Sequence, residues 1–197
     1  MQAIDTQIID INGCPVNTLQ NGDTNRPTLF FLHGKAFQAE TWEELGTLQA
    51  AIDAGFSVIA IDLPGFGKTP EANLAPETVI TEVMQATNLK EMVLVGPSMG
   101  GKIALEFSLA NPDCVTGLVL IGAVGVEENI DQLHELPEST LIVWGENDQI
   151  SDPANGRLLK ERVPGATLVT FQGAKHPCYL EQPDLWHKTL LDFAATA

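Results

Sequence analysis

The sequence predicts an α/β protein with a mostly parallel sheet covered by helices on both faces. Three observations carry this reading. Short apolar runs rich in branched residues recur along all 197 residues and alternate with longer segments of helical period. Several runs, Thr28–Leu32 and Met92–Val95 among them, lack the polar alternation of a half-exposed strand, as expected for strands buried on both faces. Turn formers follow the runs directly: His33-Gly34, Asp62-Leu-Pro-Gly-Phe-Gly67, Gly96-Pro97 and Gly145.

Taken in order, Gln7–Ile11 and Pro15–Leu19 read as two strands around Asn12-Gly13, a hairpin turn signal. Asn21 to Pro27 is a polar turn. After the Thr28–Leu32 strand, Thr41–Ala54 reads as one helix, with Trp42, Leu45, Leu48 and Ile52 on one face and Gly55 closing it. Phe56–Ile61 is the next strand, Gly65–Leu74 a loop and Pro76–Thr87 a helix. Met92–Val95 leads through a very short turn into a helix over Met99–Ala110, which Asn111-Pro112 stops. Val115–Ile121, Thr140–Trp144 and Thr167–Phe171 complete the strands, and Pro153–Val163 and Pro183–Ala194 the helices. The length suits a single domain over 1–197, and no repeat or linker appears.

Composition excludes several function classes. Lys and Arg total 10 against 26 Asp and Glu, a net charge of −16, which repels nucleic-acid backbones and anionic membranes. The start of the chain has no basic, apolar leader pattern, and Gly117–Val126, the longest apolar stretch, is too short to span a bilayer. Cys14, Cys114 and Cys178 are scattered and odd in number, which argues against a disulfide framework or zinc site and for a cytoplasmic protein. No metal or cofactor is expected.

The chemistry centres on Gly96-Pro97-Ser98-Met99-Gly100. A strand that becomes a helix within so few residues forces Ser98 into strained backbone and projects its side chain above the sheet edge. Glycines are needed at 96 and 100 because a Cβ would strike the neighbouring elements. A serine hydroxyl needs a base, and the base an orienting acid, expected downstream in the order Ser, acid, His. Asp148 follows the Thr140–Trp144 strand, with Glu146 and Asp152 as rivals and Asp152 the better helix cap. His176 follows the Thr167–Phe171 strand in a loop punctuated by Gly and Pro. His33, His134 and His187 read as structural or solvated, and Asp62 as a loop tie. The Met99 and Lys35 backbone N–H groups are placed to hold an oxyanion. The Lys35 ammonium could meet an anionic substrate group or solvent.

These residues resemble the α/β-hydrolase family over essentially the whole chain. The marks are His33-Gly34, Asp62–Gly67, the Ser98 elbow, Gly145-x-x-Asp148 and Gly173-Ala-Lys-His176. Longer strings, Gly34–Trp42, Leu45–Leu48 and His176–Pro183 running to Trp186–Phe193, are similar to the small, capless hydrolases of the CIB type. The resemblance implies an α/β-hydrolase fold with an eight-stranded sheet, a Ser98–His176–Asp148 triad and activity on small acyl esters. Acyl transfer and removal of acyl groups from amines are also associated with that group.

Only Gly122–Ser139 joins the strands where larger relatives insert a lid, too little for a cap domain. The site should be shallow and open and favour a small-molecule acyl substrate. Phe37, Met99, Val124, Val126 and Tyr179 are candidates for its apolar walls, and Cys178 reads as a buried thiol. The favoured function is hydrolysis of small carboxylic esters or thioesters. Acyl transfer or deacylation through the same triad, and a non-catalytic binding role on the same scaffold, are the alternatives.

Overall fold

A computed structural model describes residues 3–22 and 26–197. Met1 and Gln2 of the leader reading, and Asp23, Thr24 and Asn25 of the expected polar turn, lie outside the described residues. The eight strands are β1 (Asp5–Ile11), β2 (Cys14–Gln20), β3 (Thr28–Phe31), β4 (Ser57–Ile61), β5 (Met92–Pro97), β6 (Val115–Ile121), β7 (Thr140–Gly145) and β8 (Thr167–Phe171). They form one sheet in the order β1-β2-β4-β3-β5-β6-β7-β8. β2 pairs antiparallel with β1 and β4, and every other pairing is parallel. Asn12 and Gly13 join β1 to β2 with φ of 52° and 84°, the double left-handed geometry that suits a two-residue hairpin.

Side chains alternate between two cores. Leu94, Leu118 and Leu120 pack with Val79, Leu105 and Leu159, from α3 (Pro76–Ala86), α4 (Met99–Ala110) and α5 (Pro153–Arg162). Val93, Val95, Val119 and Ile121 pack with Trp42, Leu48 and Trp186, from α1 (Ala39–Glu44), α2 (Thr47–Asp53) and α7 (Pro183–Ala194). The strand period of two thus feeds both layers, and each fully buried Leu or Val contributes on the order of 2 kcal/mol. Pro76, Pro153 and Pro183 each open a helix, where a missing N–H costs nothing and φ is already helical.

The structure corrects three readings. The helix expected over Thr41–Ala54 is two helices, because Gly46 takes φ 81° and breaks the run. Thr47 then starts α2 and docks it on α7: its hydroxyl accepts from Trp186 Nε1 at 3.2 Å and lies 3.0 Å from His187 Nε2. A short helix, α6 (Cys178–Glu181), follows the His176 loop where none was read. Val126 is wholly buried in the core that also holds residues of α3, α4 and α5, and does not line the cavity that Ser98 lines. The Gly122–Ser139 connection holds only two single 3-10 turns, at Glu127–Asn129 and Leu133–Glu135, and no cap domain.

Candidate active site

Ser98 is the single residue between β5 and α4, with φ 52° and ψ −113°, a strained backbone for a residue with a Cβ. Its neighbours explain how the turn closes. A Cβ on Gly96 would sit 2.2 Å from the Gly100 carbonyl oxygen, and one on Gly100 would sit 2.6 Å from that of His33. Only glycine fits at either position. The 12-residue helix α4 begins at Met99, so its N-terminal partial positive charge lies beside the serine.

The candidate acid comes from the turn after β7. Asp148 Oδ1 accepts from the backbone N–H groups of Ile150 and Ser151 at 2.8 and 2.9 Å, and its side chain is fully buried. Oδ2 accepts from His176 Nδ1 at 2.7 Å. A carboxylate can only accept, so Nδ1 carries a proton, and in the neutral ring the lone pair lies on Nε2. Ser151 Oγ donates to the Ala123 carbonyl at 2.7 Å and ties this turn to the connection after β6. Asp152 caps α5 through Ala154 N–H at 2.8 Å, and Glu146 accepts from Gly173 N–H at 2.8 Å. Neither rival acid touches the imidazole.

Ser98 and His176 line the same cavity of about 570 Å³, without a hydrogen bond between them. Such contacts commonly tighten only when substrate binds. Met99 and Lys35 line the cavity too, and among the described residues neither N–H donates to another backbone group. Phe37, Val124 and Tyr179 form apolar wall, joined by Ile121, Ile150 and Pro177, which the sequence reading missed. Lys35 is exposed at the rim.

Gly122 was also missed. It takes φ 52°, and a Cβ there would lie 3.0 Å from Asp148 Oδ2 and 3.2 Å from His176 Nδ1. A glycine directly after β6, between the nucleophile and acid strands, was the available signal.

The remaining candidates are structural. His33 Nδ1 donates to the Gly34 carbonyl at 2.9 Å, while Nε2 accepts from Leu63 N–H at 3.1 Å. Burial lowers its pKa and keeps the ring neutral. Asp62 accepts from Asn17 Nδ2 and from the Ala39 and Lys68 N–H groups, which fixes its glycine turn. Burial, with the Asp148 charge nearby, pushes the Cys178 thiol up to about 12, so it is no nucleophile at neutral pH.

The family described as alpha/beta hydrolase fold matches residues 27–138. "Putative protein-lysine deacylase ABHD14B" of Rattus norvegicus is 36% identical over 181 residues, covering 88% of this chain and 85% of that protein. Protein ABHD14A of Danio rerio is 33% identical, covering 91% of this chain and 68% of its own length. Among solved structures, a predicted CIB-like hydrolase from Thermoplasma acidophilum superposes with a TM-score of 0.94 at 26% identity, covering 99% of each chain.

Proposed function

The chain belongs to the α/β-hydrolase family, and from that membership and the cavity geometry we propose that it is a serine hydrolase acting on carboxylic esters or thioesters. The observation that carries the reading is the 2.7 Å Asp148–His176 bond on the wall of the cavity that Ser98 also lines. Ser98 Oγ attacks the acyl carbon as His176 Nε2 takes its proton. Asp148 holds the ring in the tautomer that can do so and stabilises the imidazolium that results. The Met99 and Lys35 N–H groups receive the developing oxyanion. Collapse expels the leaving group, which takes the proton from His176, and water releases the acyl group by the same steps in reverse order.

A second reading has a specific observation behind it. A relative covering most of the chain carries the name of a protein-lysine deacylase. The same three side chains would serve removal of an acyl group from an amine, or its transfer to a thiol. Among the described residues no helix is long and apolar enough to cross a membrane. With three free cysteines, we place the protein in the cytoplasm.

A fluorophosphonate probe is expected to label the wild type and to leave Ser98→Ala unlabelled. Resistance of the folded wild type to the probe would overturn the proposal. Product analysis with and without an added thiol or amine then separates hydrolysis from acyl transfer.

A further inference from the structure

Apart from the reacting groups and the exposed Lys35 at the rim, the cavity walls are apolar with one exception. Tyr179 is 2% exposed, and its ring is fixed on three sides. It stacks on Trp42 at 4.9 Å and meets Trp186 and Phe37 edge-on at 6.1 and 6.3 Å. Stacked and T-shaped contacts of this kind leave the ring no freedom to seek a polar partner elsewhere. Among the described residues the hydroxyl has no hydrogen-bond partner, yet it is not sealed away. The one sealed and unpartnered polar side-chain atom among them is Asn17 Oδ1. Part of the small surface that Tyr179 keeps therefore belongs to its oxygen, and the residue lines the cavity.

A buried tyrosine hydroxyl normally finds a partner, because leaving it unpaired in apolar surroundings is costly. Here three aromatic rings hold it in place with none supplied by the protein. Burial raises the phenol's pKa, so it keeps its proton and acts as a donor. Depth decides which part of a substrate it meets. Ile150, 70% exposed, and Lys35 mark the open mouth, through which the leaving group must depart. Tyr179 and Ile121, 2% and 1% exposed, form a buried part of the wall, and an acyl group on Ser98 that lay along it would face the phenol.

Resting on the serine-hydrolase reading, we propose that Tyr179 is a specificity-determining residue whose hydroxyl donates a hydrogen bond to an oxygen carried by the acyl group. The substrate class is then an apolar acyl chain bearing an acceptor such as a ketone, ether or hydroxyl oxygen, not a plain alkanoyl group. The donor makes no new bond in the protein when this oxygen is missing, so the plain chain forfeits that interaction.

The test compares kcat/KM for p-nitrophenyl hexanoate with that for its 4-oxo and 5-oxo analogues, in wild type and Tyr179→Phe. Any intrinsic difference in reactivity between the esters is common to both proteins and cancels when the wild-type ratio is compared with that of Tyr179→Phe. The wild type is expected to favour one oxo ester by about tenfold, the size of one well-made hydrogen bond, and Tyr179→Phe to bring that ratio close to one. Far-UV circular dichroism and fluorophosphonate labelling of Ser98 in both proteins report folding and nucleophile separately. Equal rates for plain and oxo esters in the wild type, or a preference that survives in Tyr179→Phe, would overturn the proposal. So would labelling of Ser98 in a protein that turns over none of the three esters. Loss of both labelling and turnover would instead overturn the serine-hydrolase reading itself.

Discussion

Gly122→Ala separates the chemistry of the Asp148–His176 pair from the stability of the fold. The substitution acts in two ways. Its backbone at φ 52° is left-handed, and a Cβ in that region costs about 1–2 kcal/mol. The Cβ would also stand 3.0 Å from Asp148 Oδ2 and 3.2 Å from His176 Nδ1, closer than most carbon contacts, so the pair must yield by a few tenths of an ångström. That displacement falls on the 2.7 Å bond that sets the imidazole's tautomer and aim. Since an error of about 1 Å in a catalytic group can cost about a hundredfold, a loss of about tenfold in kcat/KM is expected here. Gly55→Ala is the control. Gly55 has φ 97° with nothing within 4 Å of a Cβ, so it carries the backbone cost without the crowding. Urea denaturation should show similar destabilisation in both variants, while p-nitrophenyl ester hydrolysis falls only in Gly122→Ala. If Gly122→Ala hydrolyses as fast as Gly55→Ala, the imidazole–carboxylate pair is not what the reaction depends on.

Two further outcomes follow from the same geometry. In Asp148→Asn the amide would donate to His176 Nδ1 and move the ring proton to Nε2, so that the imidazole can no longer accept from Ser98. A fall in kcat of about 10³- to 10⁴-fold is expected from steady-state kinetics, with a circular dichroism spectrum like that of the wild type. For His33, burial puts the folded pKa below the unfolded value of about 6.5. Its contribution to stability is therefore complete above that pH and lost as pH falls below it, because the unfolded chain binds a proton that the folded chain resists. Urea midpoints at pH 7.5 and pH 5 should fall less steeply in His33→Gln than in the wild type, and an equal or steeper fall would remove His33 as a cause.

Much of the architecture was legible because it is local. β6, β8, α4 and α7 carry their own boundaries in sequence: a branched apolar run bounded by turn formers, a proline at the first helical position, or an Asn-Pro stop. That Asp148 and His176 meet was legible for a related reason, since each follows a strand whose end the parallel topology brings to one edge. What escaped depends on tertiary contact. Nothing local distinguishes the left-handed Gly46 from a glycine tolerated within a helix, because the break is stabilised by Thr47 meeting Trp186 and His187 about 140 residues away in sequence. Val126 and Val124 are equally apolar and two positions apart, yet one enters the core and the other the cavity wall. Gly125, between them, takes φ 75° and turns the chain.

The way Asp148 is buried bears on how a site without a lid can work. A cap would strengthen electrostatic interactions by excluding water from above. Here water is excluded from below. The Asp148 side chain has no exposed surface, and two backbone N–H groups plus the imidazole satisfy it, while His176 retains 17% exposure toward the cavity. On the proposed mechanism, the charge that would stabilise an imidazolium is thus desolvated and fixed before substrate arrives, and of the pair only the ring is exposed. If the pair acts as proposed, preorganisation of the carboxylate by its own turn would do part of what a lid does.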